Sequence, residues 1–161
     1  MPYLDIPEGT ADPEVRVWAL RPEMGKAAGA LSHAIYEQSI LPVRERELAR
    51  MRIAQINGCE ICRQWRKTPG AGSTVTETEY AHVDEWATLE TFSDRDRLAV
   101  EYAERFALEH HTIDAEFYDR MRVAGFTDAE ILDLTVCIGG WLALGRTLHV
   151  LGIDDSCRLA T

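Results

Sequence analysis

The chain has 161 residues, 46% of them hydrophobic, and carries 17 basic against 27 acidic side chains for a formal charge of −10. That length suits one domain whose core needs no staples, and the composition is that of an ordinary globular protein. The acidic balance argues against a nucleic-acid binder, which needs a basic footprint, and against docking on an anionic membrane.

Residues 1 to 11 read as an irregular arm, interrupted by Pro2, Pro7 and Gly9. The start has neither the basic nor the apolar segment of a secretory signal, so a cytoplasmic location is expected. Asp12-Pro13 is a helix start, with Asp as N-cap and Pro at the first helical position. Val15, Trp18 and Ala19 then share one face of a short helix. Pro22 begins the next, in which Met24, Ala27, Ala28, Leu31, Ala34 and Ile35 form a stripe of small and apolar residues. Leu41-Pro42 ends it.

A helix from Val43 to Asn57 follows. At about 100° per residue, Ala49, Ile53 and Ile56 make one apolar face, and Glu47, Met51, Ala54 and Gly58 make a second line. Glu47 thus heads a row of small or apolar neighbours and is expected to be partly desolvated. Arg44, Glu45 and Arg46 read as surface charges. Asn57-Gly58 suits a left-handed helix end. Cys59-Glu-Ile-Cys62 comes at once and opens a new helix reaching Lys67. Two thiols one turn apart can meet as a disulfide, and a helix start is where a thiolate is best stabilised.

Thr68 to Val75 is expected to be a loop. Capping-box spacings at Thr76–Glu79, Ser93–Asp96 and Thr127–Glu130 open three further helices, and Asp114 caps another that Gly125 ends. Leu98, Tyr102, Phe106 and Leu108 mark one inner face; Phe117, Met121 and Val123 mark the next. The last helix, from Ile131 to Gly152, is apolar nearly all round. Asp133, Arg146 and His149 lie inside it, and a charge at mid-bilayer costs about 2.5–3.5 kcal/mol. It therefore reads as the centre of a domain or the seam of an oligomer rather than a membrane span. Gly139-Gly140 would let a neighbouring helix approach closely. No period-two pattern persists, so the expected fold class is all-α, a single domain over residues 1–161 with about seven or eight helices.

A CxxC in a chain of this kind is redox-active or metal-binding. A structural zinc site takes four ligands, and no second CxxC or HxxxH exists, so no metal is expected and no cofactor is implied. Cys137, in the most apolar helix, and Cys157, in the tail, are expected to be inert.

The stretch Leu41-Pro-Val-Arg-Glu-Arg-Glu-Leu-Ala-Arg50, followed by Arg52-Ile-Ala-Gln-Ile-Asn-Gly-Cys-Glu-Ile-Cys62, resembles the carboxymuconolactone decarboxylase / alkylhydroperoxidase D-like family. Phe92-Ser-Asp-Arg-Asp-Arg-Leu-Ala99 and Leu148-His-Val-Leu-Gly-Ile153 reinforce the resemblance, which covers most of the chain from Asp12 onward. It implies an all-α fold that associates into homotrimers or hexamers. In the redox branch it implies an enzyme, a peroxidase of alkylhydroperoxidase type with peroxiredoxin activity. Its CxxC pair reduces hydroperoxides and exchanges disulfides with a dithiol partner. Carried over by position, the catalytic residues are Glu47, Cys59 and Cys62.

The family's histidine falls on Arg66, whose guanidinium cannot shuttle a proton. It could instead pair with Glu47 beside Cys62 and hold a thiolate by charge. The resemblance favours Cys62 as the attacking thiol and Cys59 as the more exposed one that meets the partner; the sequence itself does not order them. None of His33, His82, His110, His111 and His149 has the family position, and His149 and His111 lead as spatial substitutes. Trp65 borders the thiols. Two rival readings are a helical oligomer that has lost its chemistry and responds to redox state, and a lactone decarboxylase, against which the thiol pair argues.

Overall fold

The computed structural model describes residues 2–66 and 75–153. Within them lie eight α-helices and no strand: α1 (Pro13–Arg16), α2 (Pro22–Glu37), α3 (Val43–Ile56), α4 (Glu60–Gln64), α5 (Glu77–Ala81), α6 (Asp94–Glu109), α7 (Ala115–Val123) and α8 (Asp128–Val150). The all-α expectation holds. All but the last residue of the loop expected at Thr68 to Val75, and Cys157, fall outside the described residues.

Three of these helices start where their capping boxes place them. Thr76–Glu79, Ser93–Asp96 and Thr127–Glu130 each close with both reciprocal bonds, which satisfy amide groups left unpaired at a helix start. Aspartate serves at the third position of the second box: it accepts the Ser93 N–H at 2.9 Å and donates its own N–H to Ser93 Oγ at 3.1 Å. Each box acid is also gripped by an arginine. Arg44 of α3 donates to Glu79 at 2.6 Å and to Asp96 at 3.0 Å. Arg95 of α6 donates to Glu130 at 2.9 Å and to Glu45 of α3 at 2.6 Å. The starts of α5, α6 and α8 are thereby tied to α3.

This explains why α3 departs from the sequence reading. Every residue from Glu45 to Met51 is buried. Glu45, expected at the surface, is buried against Arg95 where α6 and α8 begin; Arg46, expected there too, is buried; and Arg44 is half-buried between Glu79 and Asp96. The helix separates two apolar clusters. Ala49 and Ile53 join Ile35, Tyr102, Phe117, Leu134 and Ile138 on one side; Leu48 and Met51 join Tyr80, Val83, Phe92 and Val100 on the other.

α8 packs against α3 and α2. A Cβ at Gly140 would stand 2.8 Å from Ile35 Cδ1, so the close approach of α2 needs glycine there. Among the described residues, none covers the opposite face of α8. Leu132, Val136, Ala143 and Val150 are exposed along it, and only 39% of its most apolar stretch is buried. By length and composition α8 is also a helix that could cross a membrane. Some expected core positions also face outward. Met24 and Ala27 are exposed, so the α2 stripe is covered only from Ala28 on. Val15 is exposed and Val17 is buried, because the chain tightens to a 3-10 turn at Val17–Leu20 and rotates the inner face. Leu108 and Val123 lie near helix ends and are exposed.

Burial alone would raise the Glu79 carboxyl, but the Arg44 guanidinium and the Thr76 N–H overcome it and hold the group at about 2, below its ordinary 4.5. A lowered folded-state value contributes stability that is present above about pH 4.5 and is lost as pH falls through 2. Glu79→Gln should therefore lower stability at pH 7 by roughly 2–3 kcal/mol. In urea titrations the gap to wild type should close as the pH is carried from 5 to 2.

Candidate functional site

The site begins at the end of α3. Gly58 turns with φ of +63°, a conformation that favours glycine. The Asn57 side chain fixes the bend against α8: its Oδ1 accepts Arg146 Nε–H at 2.9 Å and its Nδ2 donates to the Trp141 carbonyl at 3.3 Å. A Cβ at Gly145 would meet that Nδ2 at 2.8 Å. The Cys59 N–H then returns to the Ala54 carbonyl at 3.1 Å.

Cys59 is the N-cap of α4, and its sulfur accepts the Cys62 N–H at 3.2 Å. The two sulfurs are joined as a disulfide, with the Cα atoms 5.3 Å apart. Their exposure reverses the order the resemblance implied. Cys59 is buried, at 5% exposure, because it is folded back on the end of α3, whereas Cys62 is half-buried and reaches the surface hollow described below.

Glu47 is buried, and its partner is Arg50, one turn along the same helix. Arg50 Nε lies 3.1 and 3.2 Å from the two carboxylate oxygens, and Nη2 lies 3.0 Å from Oε2. The Tyr80 hydroxyl donates to the same carboxylate at 3.3 Å. Burial, and then the Glu47 charge, push the Tyr80 phenol up to about 12, so this hydroxyl remains a donor. Arg50 also donates to the Cys62 carbonyl at 2.6 Å and the Trp65 carbonyl at 3.0 Å, and its guanidinium lies 5.0 Å from the Trp65 ring centroid. One arginine thus joins the acid to the CxxC segment.

The expected Glu47–Arg66 ion pair does not form. Arg66 pairs with Glu77 of α5 at 2.9 Å and stacks on the outer face of Tyr80, 4.2 Å from the ring centroid. The physical reason is competition: Arg50 already occupies the carboxylate from a position in the same helix. Arg66 also donates to the Arg63 and Trp65 carbonyls, pinning the chain just after α4. Sequence inspection missed Arg50. The signal was present, since a buried acid needs a cation within reach and Arg50 is three residues on, but it lay among four arginines of α3.

Two hollows meet at the disulfide. An inner cavity of about 200 Å³ is lined by both cysteines and by Ile53, Asn57, Trp141 and Leu148, with Glu14 and Arg50 among its polar wall groups. A more open outer hollow of about 550 Å³ is lined by Cys62, Ile61 and Trp65, and by His33, Tyr36 and Glu37 of α2. Glu47 lines neither; Arg50 stands between it and both. Of the histidines, His33 is the one that borders a hollow with Cys62, whereas His111 and His149 border neither hollow. Burial, and then the Asp133 carboxylate, push the Cys137 thiol up to about 12, so it stays protonated and inert as expected.

The chain belongs to the carboxymuconolactone decarboxylase family, whose model matches residues 22–105. The uncharacterized protein YnjA of Escherichia coli (strain K12) is 37% identical over 95 residues, which are 58% of this chain and 51% of that protein. The chain thus spans about half the length of this relative.

Solved structures share the fold. An uncharacterized peroxidase-related protein from Silicibacter sp. TM1040 has a TM-score of 0.71 at 18% identity, covering 94% of this chain and 90% of that one. The alkylhydroperoxidase AhpD core of an uncharacterized peroxidase-related protein from Ralstonia eutropha JMP134 has a TM-score of 0.66 at 20% identity, covering 86% and 73%. A protein of unknown function from Agrobacterium tumefaciens, suggested to act in AhpD antioxidant defence, has a TM-score of 0.66 at 23% identity, covering 84% and 92%.

Removing one member of a buried ion pair leaves the other uncompensated. Arg50→Leu is expected to cost about 3–5 kcal/mol in denaturant unfolding. Combining it with Glu47→Leu should give a loss well below the sum of the two single changes, because the buried charges are then removed together.

Proposed function

We propose that this protein is a thiol oxidoreductase that reduces hydroperoxides with the Cys59–Cys62 pair and is itself reduced by a dithiol partner. The observation that carries this reading is the disulfide at the junction of an apolar cavity and a more open hollow, its segment held by a buried arginine. The peroxidase-related names of the structural neighbours support it.

In the reduced protein, a thiolate attacks the terminal peroxide oxygen. The S–O bond forms, the O–O bond breaks, and the leaving alkoxide departs as the alcohol after taking a proton. The second thiol condenses with the sulfenic acid, releasing water and closing the disulfide. Exchange with a dithiol restores both thiols and transfers the oxidation to the reductant. Glu47 works in this reading as a positioning residue: it holds the Arg50 guanidinium, which holds the Cys62 and Trp65 carbonyls. The cytoplasm, where such a pair is kept cycling, is the compartment that fits.

Two further elements belong to the proposal. The exposed apolar stripe of α8, with Leu132, Val136, Ala143 and Val150, is covered by other copies of the chain in a homo-oligomer, a trimer or hexamer by family likeness. The rival reading is a redox-responsive oligomer without turnover, favoured by one observation: Arg66, at the family's histidine position, is engaged with Glu77.

Peroxide consumption driven by a dithiol reductant separates the two. Wild type should turn over while Cys59→Ser and Cys62→Ser lose essentially all turnover; equal rates in all three would sink the enzyme. A reversible disulfide in wild type without peroxide turnover would favour the sensor. Independently, Leu132→Asp with Val136→Asp should shift the sedimentation of the protein toward the monomer.

A further inference from the structure

The two sulfurs of the disulfide are not equivalent to an approaching molecule. The outer hollow is bordered by Cys62 and not by Cys59, which is buried beneath the end of α3. A thiol arriving from solution through that hollow therefore reaches the Cys62 sulfur. The same choice follows from the leaving group. Cys59 Sγ accepts the Cys62 N–H, a bond that favours a departing thiolate at Cys59, and the better-stabilised thiolate leaves faster.

His33 stands on α2 at the border of this hollow and is exposed to solvent. Imidazole is the side chain that exchanges a proton between about pH 5 and 8. The other titratable groups that face the hollow do not fill that role. Arg50 of α3 is committed to Glu47 and two carbonyls; Tyr36 of α2 has its phenol raised by burial; Glu37, one turn beyond His33, is a carboxylate. Cys62 of α4 is the reacting group itself.

We propose that the reductant's thiol enters through the outer hollow, gives its proton to His33, and attacks the sulfur of Cys62. This assignment rests on the reading of the pair as an exchanging disulfide. As the new S–S bond forms to Cys62, the Cys59–Cys62 bond breaks and its electron pair leaves on Cys59 as thiolate. The reductant's second thiol, deprotonated in turn, attacks the reductant sulfur of the mixed disulfide and expels Cys62 as thiolate. His33 returns its proton to Cys62, and the proton of the second thiol goes to Cys59. The reductant loses two electrons and two protons and becomes a disulfide, and the protein gains two thiols. His33 thus serves from a different helix as the acid and base that position 66 lacks.

The test uses dithiothreitol as the reductant and contains no peroxide, so a protein that fails to turn over peroxide still gives a result. Reduction of the full-length oxidised protein is followed by thiol titration from pH 5.5 to 8.5. His33→Ala should slow reduction about tenfold near neutral pH. Its rate should track the thiolate fraction of dithiothreitol alone, whereas the wild-type rate should fall less steeply with acidification. Free imidazole should restore the rate of His33→Ala, which a merely structural role would not allow. Coincident pH profiles, or no rescue, would overturn the role of His33.

The attacked sulfur is read separately by treating the oxidised protein with 2-mercaptoethanol, capping the freed thiol with N-ethylmaleimide and locating both labels by peptide mass spectrometry. Mercaptoethanol should sit on Cys62 and maleimide on Cys59 about tenfold more often than the reverse. Equal or reversed labelling would overturn the choice of Cys62.

Discussion

The arrangement depends on one buried ion pair, Glu47 with Arg50. Taking two charges out of water is costly, and an apolar pair of the same volume would often be no less stable. What an apolar pair could not do is reach outward. The Arg50 guanidinium spends one side on the carboxylate and the other on the carbonyls of Cys62 and Trp65. α4 is five residues long, too short to hold itself. Its position comes instead from α3 through this arginine, from the Gly58 turn, and from the Cys59 amide bonded back to Ala54.

The same device recurs across the molecule at a lower degree of burial. Arg44 and Arg95 link the acids of all three capping boxes to α3, so the local signals that start α5, α6 and α8 are also tertiary contacts. A carboxylate at the third position of a helix already bonds the backbone at its own start. Adding an arginine to it joins helix initiation to helix packing. α3 can therefore be highly charged and yet central, with an apolar cluster on each side.

What the sequence disclosed follows from this division. The box acids, the Asn57-Gly58 break and the Cys59–Cys62 spacing act within a few residues, and each could be read directly. The all-α class followed from their sum. The misjudged features all depend on what packs across from them. Glu45 resembles a surface charge until Arg95 of α6 covers it, and Arg46 is buried although its neighbours in sequence are charged. Arg66 shares a register with Glu47, but Arg50 was closer. The relative burial of Cys59 and Cys62 depends on how α4 folds back on α3. That His33 and Cys62 border one hollow depends on how α2 packs, and no spacing along the chain encodes it. Val15 and Val17 exchanged places through a small change of pitch.

The bend at the end of α3 also bears on how the protein ages. Asparagine followed by glycine is the dipeptide in which the next residue's amide nitrogen most readily attacks the side-chain amide, closing a succinimide that opens to aspartate or isoaspartate. In the folded chain both partners are occupied. The Asn57 amide is clamped between Arg146 and the Trp141 carbonyl, and the Gly58 N–H is bonded to the Gln55 carbonyl. Deamidation at this bend therefore requires the end of α3 to open first. A carboxylate formed there would lose the donor that now reaches Trp141, so the lesion would accumulate in molecules that had already opened and would hinder their reclosing.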